Sequence, residues 1–310
     1  MWKCGKCHAD LNAPTKECSQ GHETGIPTNV CLANQDEPKL HERFESCLAE
    51  VDDTLRTNRL ARYQQTVCDN LSVSINVRAG SLVNFMSDER IRYVNLHDNL
   101  RANAVLNYDK ELANKRTVID GMAFKADGQK LNFGAVNLGN NTGLISYGEV
   151  CIILNSDEIR SRVSFLENNV FSYYSESGGA IRFEIPAGSR ALWHSLGELA
   201  LVKHAADFFG ADELSCDQIS RLLLHSNGDK ATDQYIEAQI FPPITRATIS
   251  RIIVNLKAWR KVNDKSLVGK TEEHLQELSS RAKNFIKYFR DEVQDNVPSV
   301  PLEFINATEN

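Results

Sequence analysis

An α+β fold is what this sequence predicts, with a mixed or antiparallel sheet, flanking helices and a small metal-ribbon module at the N-terminus. Three observations predict it. Two close pairs of cysteine and histidine stand within the first 22 residues. A charged stretch with helical periodicity follows them. From about residue 70, short alternating or β-branched runs are interspersed with amphipathic helical ones.

Residues 1–30 read as the ribbon. Cys4-Gly5-Lys6-Cys7 is a tight knuckle, and Cys18 and His22 form a second pair after a short polar loop containing Pro14. Two such pairs span two edges of a tetrahedron, which is what a structural zinc site requires. The module is too short to bury a core, so metal binding would supply its folding energy. Cys31 competes as fourth ligand if His22 points away, and His8 is too near Cys7 to be preferred. Four protein ligands leave no open position for catalysis.

Residues 31–69 read as a helical connector, or as a docking surface for a partner. Leu40, Phe44, Cys47, Leu48, Val51 and Leu55 recur at helical spacing among charged residues. The body, 70–260, opens with strands over Leu71–Val77 and Ile91–Leu96. Phe133–Leu138 and the β-branched Tyr147–Leu154 are the next two, and Ile181–Ile185 is an edge strand stopped by Pro186. Ala191–Phe209 is an amphipathic helix ended by Gly210, and Ser215–His225 is a second. Strands at 235–240 and 249–256 complete the body. Residues 261–310 form a C-terminal helix over Thr271–Val293 and a frayed tail. Glu272 and Glu273 lie in the helix's first turn, where its dipole favours them.

Composition narrows the class. The chain of 310 residues is 42% hydrophobic and 25% charged, the balance of a water-soluble globular protein. No apolar run approaches the roughly 20 residues of a membrane span. The N-terminus has no apolar signal segment, so the expected location is cytoplasmic, with the eight cysteines reduced or metal-bound. A net charge of −6 argues against a protein that coats nucleic acid by bulk charge. Residues 241–290, however, hold eleven Lys and Arg against four Asp and Glu. That basic segment suits a phosphate-bearing ligand or a nucleic-acid strand, or else the acidic face of the same protein. Gly269-Lys270-Thr271 is not a phosphate-binding loop, because Asp264 stands where that motif needs glycine.

Four segments, taken in order, resemble the ADP-ribosyltransferases, most nearly the nucleic-acid-modifying toxin branch known as the DarT family. The first runs Tyr93-Val94-Asn95-Leu96-His97-Asp98-Asn99-Leu100 and on to Leu106. The second is Phe133-Gly134-Ala135-Val136-Asn137-Leu138 followed by Gly143 to Val150. The third is Leu154 to Phe171, with Glu167-Asn168-Asn169. The fourth is Tyr235-Ile236-Glu237-Ala238-Gln239-Ile240 and the run Ile249 to Val254. The resemblance covers about residues 90–256 and lies in the order and spacing of segments. No arginine matches the family's catalytic arginine; Arg116 and Arg162 are the candidates.

The resemblance implies a split sheet of ADP-ribosyltransferase type, NAD as substrate and transfer of ADP-ribose to a macromolecule. It also implies a toxin or defence effector with a neutralising partner. Glu237 would be the catalytic carboxylate: cleaving the ribose–nicotinamide bond builds positive charge on the sugar, which a fixed carboxylate stabilises. Tyr147 would stack on the departing ring, with Ser146 beside it. Gly134 would let the ligand approach the backbone, and His97 and Asn99 would bond the ribose or the carboxamide.

Each residue has a plainer explanation. Glu237 could face solvent on the polar side of an alternating strand, Tyr147 could be a core residue, and Gly134 could mark a bulge. His97 could be a surface residue or one whose bonds are already satisfied, and Glu167 and Glu184 are rival carboxylates. The alternative function is a non-catalytic zinc-ribbon protein that binds nucleic acid or a protein partner.

Overall fold

A computed structural model describes residues 2–51, 59–60, 63, 66–67, 70–87, 91–95, 97–98, 110–138, 142–177, 180–210, 214–256, 258–259, 272–294, 296 and 299–305. Asn99, Leu55, the 260–271 part of the basic segment and Gly269-Lys270-Thr271 lie outside the described residues.

The ribbon contributes the hairpin β1 (Trp2–Lys3) and β2 (Asp10–Leu11). A helix, Thr28–Ala49, starts directly after it. Leu40, Phe44 and Leu48 on this helix are buried in the main core, so the apolar stripe of the expected connector is spent on the body. β3 (Leu71–Val77) follows, then the helices Ala79–Met86 and Lys110–Phe124. β4 is Asn132–Leu138, β5 Val150–Leu154 and β6 Val163–Leu166. β7 (Tyr174–Ser177) and β8 (Ala180–Phe183) form a separate hairpin, and β9 is the two-residue Arg190–Ala191.

The Leu196–Lys203 and Cys216–Leu223 helices lead to β10 (Leu224–His225), which pairs with β11 (Gln234–Tyr235). β12 is Glu237–Ile240 and β13 Ile249–Asn255. After the Glu272–Gln294 helix, β14 is Leu302–Ile305.

Among the described residues, eight strands make one mixed sheet in the order β14-β13-β5-β3-β4-β12-β6-β9. All pairs are antiparallel except β13 with β14. One face is apolar: Val73, Ile75, Val136, Ile152, Phe165, Ala238 and Ile240 pack against helices as the main core. Period-2 alternation turns Ser74, Asn137, Ser164, Glu237 and Gln239 to the other face. That face is also covered, in part by the Lys110–Phe124 helix with Ile119, Ala123 and Phe124 against Leu166.

Several expected elements differ. Residues 91–95 form no strand; Tyr93 donates its amide to the Ile244 carbonyl. Tyr147 lies in a turn, and the strand begins at Val150, because Gly148 packs against the Val77 backbone and bends the chain there. Ile181 belongs to the β7–β8 hairpin rather than to an edge of the main sheet. The Ala191–Phe209 helix is broken at His204, and its first residue belongs to β9. Within the expected tail, Leu302 to Ile305 form β14 and pair with Ile252 to Asn255.

Candidate active site and metal cluster

The site begins where the sheet opens. β3 and β4 pair from Leu71↔Leu138 to Ser74↔Ala135 and then part. Ile75, Asn76 and Val77 continue against β5, while Gly134, Phe133 and Asn132 continue against β12. The strand order is unbroken, but the central ladder is closed over only half its length. A cavity of about 220 Å³ occupies the fork, lined by Ser74, Ile75 and Asn76 on one prong and Asn132, Phe133 and Gly134 on the other.

Glu237 borders this cavity. It is the first residue of β12, set between Ala135 of β4 and Leu166 of β6. It is on the polar side of the strand, yet only 2% exposed, so it does not face solvent. Burial pushes its carboxyl up to about 7, against the pull of Arg116, the Gln239 amide and the Val170 backbone. Gln239 Nε2 donates to Glu237 Oε1 at 3.1 Å.

Arg116 lines the same cavity from the Lys110–Phe124 helix. Its Nε donates to Asp120 Oδ2 at 2.7 Å, and its guanidinium carbon lies 3.9 Å from the Phe133 ring centre and 5.0 Å from that of Phe171. Burial would pull its pKa down, but the charges of Asp120 and Glu237 hold it up. Arg116 Nη2 is buried with no protein partner. A guanidinium gripped from behind and across its faces is a fixed cation with a donor to spare.

His97 is 4% exposed and sets its Nε2 2.8 Å from the same Asp120 Oδ2. It stands behind Arg116 and does not line the cavity. Asp120 itself is fully buried. The helix carrying this pair had no clear signal in the sequence, because Arg116 and Asp120 face inward while Val118 and Met122 are exposed.

At the mouth, Tyr147 is 41% exposed, and Lys230 Nζ lies 4.5 Å from its ring centre. Asn76 holds the Tyr147 turn in place, accepting from the Leu144 amide at 2.7 Å and donating to the Gly148 carbonyl at 3.0 Å. Tyr235 and Asn169 line the wall and are hydrogen-bonded to each other. Burial raises the Tyr147 and Tyr235 hydroxyls above their ordinary value, and the Glu237 charge adds to it.

Gly134 lines the fork, but the close approach it permits is to protein. A Cβ there would meet the Ser74 carbonyl oxygen at 2.5 Å. Ser146 turns away and bonds Asp233. Of the rival carboxylates, Glu167 is paired with Arg43 at 2.8 Å and Glu184 is exposed. Arg162 bonds the Glu158 and Phe241 carbonyls, away from the cavity.

Asn132 carried no motif in the sequence. It is 2% exposed, lines the cavity, and neither atom of its side-chain amide has a protein partner. An unpaired buried amide is costly and marks a place for a ligand or water.

In the ribbon, the ligand atoms of Cys4, Cys7, Cys18 and His22 all lie within 4.8 Å of one another and could hold a metal ion. Cys7 and Cys18 sulfurs are 3.7 Å apart. That is the tetrahedral edge expected for an ion about 2.3 Å from each sulfur, roughly 3.8 Å. The Cys7 and Lys6 amides pull the Cys4 thiol down to about 7, which favours the thiolate a metal requires. Cys31 sits in the first turns of the Thr28–Ala49 helix and is not part of the cluster. Among the described residues, no helix is long and apolar enough to cross a membrane.

No protein-family model matches the sequence, and no curated protein matches it.

Proposed function

We propose that the chain is an NAD-dependent ADP-ribosyltransferase acting on a macromolecule, nucleic acid in preference to protein. The observation that carries this reading is Glu237, a buried carboxylate at a forked sheet, facing a cavity with a fixed arginine. A sheet that parts at its centre accords with the split sheet the resemblance implies. The cavity is smaller than the roughly 300–1,000 Å³ that encloses a drug-sized ligand. It would take the nicotinamide end of NAD and leave the adenosine end outside.

In this scheme the Asn132 amide offers a donor and an acceptor to the nicotinamide carboxamide. Tyr147 closes the mouth with an aromatic face, and Arg116 gives its spare donor to oxygens of the ligand. The bond from C1′ to the nicotinamide nitrogen breaks, and the electron pair leaves with the nicotinamide. Ionised Glu237 steadies the positive sugar. The acceptor forms the new bond to C1′, and its proton passes to the Glu237 carboxylate, whose pKa near 7 suits a general base.

The Cys4, Cys7, Cys18 and His22 cluster would hold structural zinc, since four protein ligands leave the ion no open position. The ribbon and the basic balance of residues 241–290 favour a nucleic-acid acceptor. Modification of this kind is harmful to a cell, so the reading carries a toxin or defence effector in the cytoplasm with a neutralising partner.

The test is incubation of the chain and of Glu237→Gln with labelled NAD and separate pools of single-stranded DNA, RNA and protein. Label in one pool, lost in Glu237→Gln, is expected. If neither chain consumes NAD but the wild type binds nucleic acid in a salt-sensitive, metal-dependent way, the non-catalytic zinc-ribbon reading replaces this one.

A further inference from the structure

The segment that leaves the metal cluster ends on a hydrogen-bond relay that reaches Glu237. Asn29 stands in the first turn of the Thr28–Ala49 helix, seven residues beyond the ligand His22. Its Nδ2 donates to Ser164 Oγ at 3.0 Å and to the Gln239 carbonyl at 2.9 Å. Ser164 Oγ donates to Gln239 Oε1 at 3.0 Å, and Gln239 Nε2 donates to Glu237 Oε1 at 3.1 Å. All four side chains are buried.

The relay has a direction. Because Asn29 supplies the proton to Ser164 Oγ, the serine hydroxyl is free to donate onward. Its acceptor, Gln239 Oε1, is thereby fixed, and the NH₂ end of the Gln239 amide must face the carboxylate. Flipped, that amide would set its carbonyl against Glu237.

The start of the relay is itself pinned. Ile26 donates its amide to Thr24 Oγ1 at 3.3 Å, and the Ile26 carbonyl accepts from Lys16 Nζ at 2.9 Å. Thr28 donates its amide and hydroxyl to Asp127 Oδ2, at 2.9 and 2.6 Å, and Lys16 reaches the same oxygen at 3.3 Å. Residues 2–26 have little core of their own, Trp2, Leu11 and Ile26 packing on Val30 and Leu192. An ion held by Cys4, Cys7, Cys18 and His22 would supply the order that so small a core does not.

We infer that the N-terminal metal module is a brace for Glu237. The ion orders the segment that ends in Asn29, and Asn29, through Ser164, aims the Gln239 amide at the Glu237 carboxylate. Asn29, Ser164 and Gln239 are positioning residues. The consequence for turnover rests on the proposed role of Glu237, whereas the coupling itself can be measured without NAD.

The experiment follows the titration of Glu237 by carbon NMR of chain labelled at its glutamate carboxyls, with Glu237→Gln to assign the signal. The charged or titratable groups around Glu237 are Arg116, Asp120, Tyr147, Tyr235 and Lys230, with His97 behind Asp120. All of them are retained in the variants. In Asn29→Ala and Ser164→Ala, each loaded with zinc, the midpoint should rise by about one pH unit, the loss of one charge-assisted hydrogen bond. Stripping zinc from the wild type should raise it likewise.

An unmoved midpoint in both variants overturns the relay. A midpoint that moves in the variants but not on stripping overturns the brace. If the stripped chain unfolds altogether, zinc affinity decides, since coupling is reciprocal. Asn29→Ala should then bind zinc several-fold more weakly, and equal affinity overturns the inference. Failure to consume NAD would sink the transferase reading and leave these outcomes untouched.

Discussion

Ser74 and Ala135 are the last residues that β3 and β4 pair with each other, and beyond them the two strands belong to different halves of the sheet. A ladder that stops midway leaves backbone groups and side chains free to line a cavity. The parting opens the cavity, and alternation along β12 turns Glu237 to the side from which it borders that cavity.

The fork is held narrow by Gly134. Its missing side chain lets the Ser74 carbonyl come close, and a Cβ would overlap that oxygen. Gly134→Val should destabilise the fold by about 1–3 kcal/mol, as overpacking does. Denaturant unfolding would read this as a lower midpoint with an unchanged slope. A neutral result would mean that the strands part further than described.

Glu237 should make stability depend on pH in the direction opposite to a salt-bridged acid. Its pKa rises from 4.5 to about 7 on folding, so between these values the native state keeps a proton that the unfolded chain has lost. Stability therefore falls as pH rises through that window. Glu237→Gln should exceed the wild type by about 3 kcal/mol above pH 7 and match it near pH 4. Thermal unfolding of both chains across this range checks the sign as well as the size.

Asp120 is the shared acceptor of Arg116 and His97. Asp120→Ala leaves the guanidinium buried without its closest counter-charge and should cost about 3–5 kcal/mol. Asp120→Asn keeps an acceptor oxygen and should cost less. Urea titrations that rank the two variants equally would show that Arg116 does not depend on this carboxylate.

Asn132 should trade binding for stability. Asn132→Leu removes an unpaired buried amide, so the fold should be as stable or more so. Binding of free nicotinamide, followed by calorimetry, should weaken about tenfold, the loss of one good hydrogen bond. A variant that binds nicotinamide as tightly as the wild type would remove Asn132 from ligand recognition.

Local chemistry alone made parts of this protein legible. The ribbon could be read because four ligands at fixed spacing leave few geometries open, and the structure brings Cys4, Cys7, Cys18 and His22 together. β3 could be read from alternation and β4, β12 and β13 from short apolar runs, because their apolar side chains are buried in the core. Glu237 could be picked out because a carboxylate in an otherwise apolar strand is costly.

Other features only the tertiary structure decided. Whether Glu237 met solvent or protein depended on what covers the second face of the sheet, and the Lys110–Phe124 helix contributes that cover. Its inward face mixes Arg116 and Asp120 with Ile119, Ala123 and Phe124, while Val118 and Met122 are exposed, so no clean apolar stripe announces it. His97 bonds Asp120 and not a cavity, because a hydrogen-bond partner 23 residues away in sequence is chosen by packing. β14 falls where the sequence predicts a frayed tail, since its pairing with β13 joins segments about fifty residues apart. Spacing along the chain fixes what neighbours can do together, whereas burial and long-range partners exist only once the chain has closed on itself.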